Sequence, residues 1–218
     1  MANDGTMFIR SGHYIISDVL YQSAAINWPL KATTSLSFIG RTSTNLTIEI
    51  REQLTNQHVG SLEFQYVYVN RTNRKSQAFP DWFIQKYRPL TTLETRPDTM
   101  APLSLPSKTF SYDVTVQYSD TDRNGHTNQS SYLKYGMDAA TSASLGGEFH
   151  NFKQDMCMYH VQDFQALYTG ESLVKDQLVI HTWEDGTRKD LLFFQIHKNN
   201  RAIFHCRLTL CNPASAKL

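Results

Sequence analysis

Two segments of the chain, 113 residues apart, repeat the same order of sequence patterns, and this repetition constrains the fold more than any other feature. GHYIISDVLYQSAA begins at Gly12, and GHTNQSSYLKYGMDAA begins at Gly125. Each opens with a Gly-His pair and continues with apolar residues at helical spacing, which predicts one long helix in each half. Small residues such as Gly136, Ala139 and Ala143 on the second helix would let a sheet wrap closely around it.

After each predicted helix the apolar period changes from 3.6 to 2, which indicates β-strands. In the first half the strands are LTIEI and SLEFQYVYV. In the second half they are DQLVIHTW, LLFFQIHK and AIFHCRLTL, and Asn199-Asn200 is predicted to form a hairpin turn between the last two. One helix wrapped by an antiparallel sheet describes the hotdog arrangement. The chain is therefore predicted to be α+β, a tandem (double) hotdog with a long helix in each unit.

The prolines suggest where the two units meet. Five of the seven lie in the run from Phe79 to Lys108, which indicates a crossing linker. We expect an N-terminal hotdog unit over 1–88, a linker over 89–110 and a C-terminal hotdog unit over 111–218. VTVQYSDTDRN supplies a strand before the second helix, but only a short stretch precedes Gly12. The first unit is thus expected to be degenerate, either lacking its first strand or starting internally.

Composition excludes several classes of function. The chain has 40% hydrophobic and 19% charged residues and a formal charge of +1, which is typical of a globular protein. No basic stripe or RNA-stacking motif is present, so we expect no nucleic-acid partner. No apolar run reaches membrane-spanning length, so we expect no membrane association. The three cysteines lack CxxC spacing and are predicted to be free thiols. Without HExxH or clustered Cys/His spacing, we expect no metal and no cofactor.

The segment before the second helix carries the side chains best suited to catalysis. Its strand VTVQY ends in a loop with Asp122, Asn124 and His126, and the helix follows at Asn128. A carboxylate or imidazole can activate water or attack a carbonyl carbon, and Asn124 could orient either group. Free amide groups at a helix start can polarise a carbonyl. The alternative is an ordinary polar turn followed by a helix cap.

This segment resembles a known family. DTDRNGHTNQSSY is similar to the D-x-D-x-N-x-H-x-N-N-x-x-Y motif of plant acyl-carrier-protein thioesterases, and more loosely to the D-x-x-G-H-x-N-N-x-x-Y motif of 4-hydroxybenzoyl-CoA-type and bacterial acyl-CoA thioesterases. The plant enzymes also carry the motif in the second of two hotdog units. The matching positions are Asp120, Asp122, Asn124, His126, Asn128 and Tyr132. The resemblance implies that Asp122, Asn124 and His126 are catalytic.

The same resemblance implies that Asn128, Gln129 and Tyr132 contact the substrate. Two positions depart from the family pattern. Gln129 replaces the second of two consecutive asparagines, and the plant family's downstream Glu-Cys pair is expected at Tyr168-Thr169, before Gly170.

The N-terminal copy differs more strongly from the motif. It places Ile9 and Ser11 opposite Asp122 and Asn124, and it retains only His13. One working site per chain is therefore expected, with the first unit as scaffold and substrate wall.

These observations predict a hydrolase of fatty-acid (lipid) metabolism, a thioesterase that releases a free fatty acid from acyl-CoA or acyl-ACP, with Asp122 as general base or nucleophile. An enoyl-CoA hydratase of the hotdog type is a second interpretation, although its D-x-N-P-x-H motif has a proline that this chain lacks. A third is an acyl-CoA-binding module without catalysis. Crowded cations at a predicted turn, Arg71, Arg74 and Lys75, either bind the phosphates of the substrate or form a solvated turn.

Two further predictions concern assembly and location. The hotdog sheets could support a homo-oligomer. The terminal Ala216, Lys217 and Leu218 resemble a peroxisomal address, so a peroxisomal import receptor is an expected partner and the peroxisome or cytoplasm the expected location.

Overall fold

The computed structural model describes residues 5–21, 29–123 and 125–211. The chain divides into two compact units, Met1–Met100 and Ala101–Leu218. This division falls within the proline-rich segment 89–110.

The described residues of the first unit contain four strands, which pair antiparallel in the order β2-β3-β4-β1. They are β1 (Gly5–Ile16), β2 (Leu30–Ile39), β3 (Ser43–Glu52) and β4 (His58–Asn70). The alternating segments LTIEI and SLEFQYVYV lie in β3 and β4, so both strand predictions are confirmed.

The helix predicted from Gly12 is wrong where the structure describes it. Gly12 lies inside β1, and a single 3₁₀ turn, Asp18–Tyr21, follows the strand; residues 22–28 lie outside the described residues. Aromatic and β-branched residues are frequent in this segment, and β4 pairs with it along its length, from Gly5 opposite Asn70 to Ile16 opposite Gly60. Pairing with β4 therefore overrides the helical spacing of the apolar residues.

Strand β1 also corrects two expectations that depended on that helix. It supplies the opening strand that the first unit was expected to lack. In addition, Gly12-His13 lies within a strand and Gly125-His126 in a loop, so the sequence alignment between the two copies is wrong at this point.

A small aromatic cluster stabilises the first unit. The ring of Phe79 stacks on Tyr68 at 5.1 Å between ring centroids and on Phe83 at 4.5 Å. Phe83 belongs to helix α1 (Asp81–Tyr87), which covers the part of the sheet around Ile39. Apolar area removed from water is the main stabilising contribution of such a cluster.

The described residues of the second unit contain five strands, which pair antiparallel in the order β6-β9-β8-β7-β5. They are β5 (Phe110–Thr115), β6 (His160–Tyr168), β7 (Gln177–Glu184), β8 (Leu191–Lys198) and β9 (Arg201–Cys211). Asn199 and Asn200 both have positive φ, 50° and 60°, which confirms the predicted hairpin turn between β8 and β9.

Helix α2 (Gln129–Leu145) is the predicted long helix of the second unit. Ala139, Ala140 and Ala143 are fully buried, as their small side chains predicted. A Cβ atom on Gly136 would lie 2.2 Å from the ring of Phe194, so glycine is needed for this close approach. The second unit therefore consists of a long helix wrapped by an antiparallel sheet.

The segment before β5 is attached to this sheet through backbone groups. The amide of Leu103 donates to Nδ1 of His205 at 3.2 Å, and the carbonyl of Leu103 accepts from Nε2 of Gln195 at 3.0 Å. Both side chains are buried. Residue 103 is thus held by two hydrogen bonds that do not involve its own side chain.

Candidate functional site

A tight turn joins Asp122 to His126 directly before α2. The amide of Asp122 donates to the carbonyl of His126 at 2.8 Å, and the amide of His126 donates to the Asp122 carboxylate at 3.2 Å. Gly125 has φ of +76°, a left-handed conformation that favours glycine. A bridge between Thr121 and Thr127 closes the turn at its base. Asp122 and His126 are therefore held next to each other.

The two side chains differ in their contact with solvent. Asp122 is exposed, whereas the side chain of His126 retains 24% of its accessible surface. Asn124, the third residue predicted to be catalytic, lies outside the described residues, and its role stays a prediction.

Asp120 anchors the loop to α2. Its carboxylate is 2.5 Å from Nζ of Lys134 and accepts the amide of Gln117 at 2.9 Å. Its carbonyl accepts the amide of Asn128 at 2.7 Å and the hydroxyl of Ser131 at 3.0 Å. Burial opposes ionisation of Asp120, but the hydrogen bonds from Lys134 and Gln117 outweigh it and lower the pKa of the carboxyl.

Glu171 is a candidate site residue that the sequence did not predict. Its Oε2 lies 3.8 Å from Nε2 of His126. Backbone pairing brings the two segments together, because His126 bridges Leu173 and the amide of Thr127 donates to the carbonyl of Ser172 at 2.9 Å. His126 is therefore flanked by two carboxylates: that of Asp122 accepts its backbone amide, and that of Glu171 faces its imidazole.

The residues where the family's Glu-Cys pair was expected have other contacts. The ring of Tyr168 packs against Tyr132 and Phe204, with centroids 6.1 and 4.9 Å away. The hydroxyl of Thr169 donates to the carbonyl of Ala202 at 2.9 Å. Glu171, the acidic residue that faces the imidazole of His126, thus follows Gly170, whereas the family pattern has its glutamate before the glycine.

Most backbone amides at the start of α2 already donate hydrogen bonds within the protein. The Asn128 side chain caps α2 by accepting the amide of Ser130 at 3.1 Å, and the amide of Ser131 donates to the Asn128 carbonyl at 3.0 Å. The amide of Asn128 donates to Asp120. Gln129, the first helical residue, is exposed.

Tyr132, which was predicted to contact substrate, is buried with 4% of its surface exposed. Its hydroxyl lies 3.0 Å from Oγ of Ser172 and accepts the amide of Ser172 at 3.0 Å. In the structure Tyr132 therefore contacts the segment that carries Glu171.

A cleft of about 390 Å³ opens beside Glu171. Gly170 and Ile203 contribute to its wall, and the β8–β9 hairpin adds the cations Lys198 and Arg201. Nζ of Lys198 is 2.5 Å from the carboxylate of Asp176, whereas Arg201 is exposed. The cleft thus joins a carboxylate of the candidate site to a positively charged edge.

The predicted cations Arg71, Arg74 and Lys75 follow β4 in the first unit. All three are exposed, and the guanidinium of Arg74 lies over the ring of Phe8 at 4.8 Å. Their contact with substrate phosphate stays a prediction.

Metal and membrane features can be described for residues 5–21, 29–123 and 125–211. Among them no group of three or more His, Cys, Asp or Glu side chains could hold a metal ion. No helix in these ranges is long and apolar enough to cross a membrane.

The three cysteines are free: Cys157 is exposed, Cys206 is buried and Cys211 is intermediate in exposure. The terminal Ala216–Leu218 lies outside the described ranges, so recognition of these residues by an import receptor stays a prediction.

Comparison of the sequence with protein-family models and with curated proteins finds no match. Among solved structures, the 12:0-ACP thioesterase from Umbellularia californica gives a TM-score of 0.72 at 13% identity, over 95% of this chain and 76% of that one. An acyl-ACP thioesterase from Bacteroides thetaiotaomicron gives 0.68 at 14% identity, over 96% of this chain and 78% of that one. At these identities the likeness concerns the fold, and it confirms the predicted hotdog class.

Proposed function

We propose that the chain hydrolyses an acyl thioester at the start of α2 in its second unit. The observation that carries the proposal is the position of His126, whose imidazole faces Glu171 at 3.8 Å while its backbone amide is bound to the Asp122 carboxylate. Two carboxylates and an imidazole are sufficient for general acid–base or nucleophilic chemistry, and one of the carboxylates, that of Glu171, lines a cleft. The shared fold with thioesterases agrees with this reaction class.

The reaction adds the oxygen of water to the thioester carbonyl carbon, breaks the carbon–sulfur bond and delivers a proton to the departing thiolate. In our proposal Asp122 acts as general base or nucleophile, and His126 positions the water and the carbonyl together with Asn124. Glu171 orients the imidazole of His126, and the proton that leaves the water passes to the departing thiolate.

The developing oxyanion needs a hydrogen-bond donor. Since the amides of Asn128, Ser130 and Ser131 donate within the protein, we assign this role to the amide of Gln129. The side-chain amide groups of Asn128 and Gln129 are further donors for the substrate, whereas buried Tyr132 acts through Ser172.

The proposed substrate is a fatty acyl chain carried on CoA or acyl carrier protein. Both carriers present the thioester on a phosphopantetheine arm, which is narrow and ends in a phosphate. The cleft beside Glu171 offers room for such an arm, and Arg201 offers an anion contact at its edge.

Purified protein should release free thiol from palmitoyl-CoA or palmitoyl-ACP. Asp122→Asn should lower kcat by about 10²- to 10⁴-fold, the usual contribution of a general acid or base. Glu171→Gln should lower kcat by about 10²-fold, because His126 loses the carboxylate that orients it. Asp138→Asn is the matched control, because Asp138 is an exposed carboxylate on the solvent side of α2. Unchanged turnover in Asp122→Asn would remove the assigned role of Asp122.

One observation favours a second candidate, an acyl-thioester-binding module without catalysis. The Asp122 carboxylate accepts a backbone amide within its own turn, as in many turns without catalytic function. Calorimetric binding of palmitoyl-CoA without thiol release would support this alternative. Hydration of crotonyl-CoA in parallel assays would instead indicate a hydratase.

A further inference from the structure

We propose that Thr127 and Tyr132 are positioning residues that hold Glu171 opposite His126 by clamping the residue next to it, Ser172. This inference rests on the proposed thioesterase site and deepens it. It gives a role to two buried hydroxyl groups that lie behind the site.

Ser172 is completely buried, and its polar groups are bonded to these two residues. Its hydroxyl lies 2.7 Å from that of Thr127 and 3.0 Å from that of Tyr132. Its amide donates to the Tyr132 hydroxyl at 3.0 Å, and its carbonyl accepts the amide and the hydroxyl of Thr127 at 2.9 and 3.0 Å. Thr127 and Tyr132 therefore provide hydrogen-bond partners for the amide, the carbonyl and the hydroxyl of Ser172.

The hydroxyl protons have one consistent arrangement around this cluster. Thr127 donates to the Ser172 carbonyl, so the Ser172 hydroxyl donates to Thr127 and the Tyr132 hydroxyl donates to Ser172. Burial raises the pKa of the Tyr132 phenol, which keeps its proton in place. Every hydroxyl in the cluster both donates and accepts, and fully satisfied buried networks of this kind are rigid.

The phenol is itself held in one position. The ring of Tyr132 stacks on Phe204 with centroids 5.4 Å apart and an interplanar angle of 16°. On the other side of Glu171, the amide of Gly170 donates to the carbonyl of Ile203 at 3.0 Å, and a Cβ at position 170 would lie 2.7 Å from the Ile203 side chain. The backbone of Glu171 is thus fixed from both sides.

The clamp matters because Glu171 keeps 50% of its side-chain surface exposed. Packing alone restrains such a side chain weakly, so its direction toward His126 depends on its anchored neighbours. A displacement of about 1 Å at a catalytic group can cost about 10²-fold in rate. Loss of the clamp should therefore appear mainly in kcat.

Tyr132→Phe removes one hydroxyl and keeps the ring stack, and Thr127→Val removes another at similar volume. We expect each variant to lower kcat for palmitoyl-CoA by about 10- to 100-fold with KM little changed. Thr127→Ser should restore most of the activity lost in Thr127→Val. Combining Tyr132→Phe with Glu171→Gln should add little to the effect of Glu171→Gln alone, because both changes remove the same function.

Thr182→Val is the matched control. Thr182 is also buried, its hydroxyl donates to the Phe193 carbonyl at 3.0 Å, and it lies on β7, which carries no residue of the site. It should lose stability but keep kcat. If Tyr132→Phe and Thr127→Val likewise lower only the melting temperature, or if their effects multiply with that of Glu171→Gln, the positioning role is overturned.

Amide hydrogen exchange separates this inference from the proposed function. Tyr132→Phe should accelerate exchange at residues 170–173, and Thr182→Val should not; equal protection in all three proteins would contradict the clamp. Wild-type protein that releases no thiol from palmitoyl-CoA or palmitoyl-ACP would refute the hydrolase and the catalytic role of the clamp together. Active wild-type protein with unaffected clamp variants would refute the clamp alone.

Discussion

Asp120 is a buried carboxylate whose contribution to stability depends on pH. Its folded-state pKa is lowered, so its ionised form stabilises the loop fully above the unfolded value of about 4. That contribution is lost as pH falls from there through the folded-state pKa. Asp120→Asn should therefore lower the free energy of unfolding by about 1–3 kcal/mol at pH 7, the usual effect of losing charge-assisted hydrogen bonds at a buried group.

Urea denaturation of both proteins at several pH values tests this expectation. The difference between wild type and Asp120→Asn should be largest near neutral pH and should shrink below about pH 4. A difference that stays constant down to the acid limit would show that the ionised carboxylate is not responsible.

At the scale of single residues, the sequence predicted part of the candidate site. The spacing from Asp122 to His126 placed both in one loop before a helix, because the residues are neighbours in the chain. Glu171 could not be found in this way, since only the bridge between His126 and Leu173 brings it close. Tyr132 matched a motif but faces Ser172, and a motif does not reveal which way a helical side chain points.

Helix α2 tolerates only a small residue where it crosses β8. Alanine at position 136 should gain up to about 1 kcal/mol of helix propensity over glycine. Its Cβ, however, would lie 2.2 Å from the buried ring of Phe194, and such overpacking costs about 1–3 kcal/mol. We expect Gly136→Ala to reduce the free energy of unfolding, measured by urea denaturation.

Two further variants make the cause identifiable. Asp138→Ala, on the exposed side of the same helix, should be neutral or slightly stabilising. Phe194→Leu combined with Gly136→Ala should be less destabilising than the two single effects together, because leucine frees space for the added methyl group. An increase in stability in Gly136→Ala alone would contradict the close approach.

Elements whose sequence signals agree were predictable from the sequence, whereas the segment from Gly12, whose signals conflict, was not. In α2, helical spacing coincides with small residues on the buried face. The segment from Gly12 has helical spacing too, but Tyr14, Ile15 and Ile16 also favour a strand, and only the partner strand β4 decides between them. Long-range pairing of this kind is not encoded in a local pattern.

At the scale of the whole molecule, each unit presents a group of cations for which we propose contact with the substrate phosphate. Arg71, Arg74 and Lys75 lie on a turn of the first unit, while Lys198 and Arg201 line the cleft of the second. Because Lys198 is paired with Asp176, Arg201→Glu is the sharper variant. We expect it to raise KM for palmitoyl-CoA about fivefold, as for an exposed ionic contact worth about 1 kcal/mol.

The matching control substrate is the N-acetylcysteamine thioester of palmitate, which has no phosphate. Wild type and Arg201→Glu should hydrolyse it equally. Lys189→Glu changes an exposed charge on a different turn and should leave both substrates unaffected. A rise in KM for palmitoyl-CoA in Arg71→Glu or Lys75→Glu, without one in Arg201→Glu, would assign the phosphate contact to the first unit.

The attachment of Leu103 shows which parts of the chain are free to diverge. His205 and Gln195 hold only its backbone amide and carbonyl, so almost any amino acid can stand at 103 without loosening the segment. Proline is the exception, since it has no amide hydrogen. Among related chains we expect His205 and Gln195 to be retained while the residue at position 103 varies. A sequence alignment would then show no similarity at position 103, although the attachment is the same.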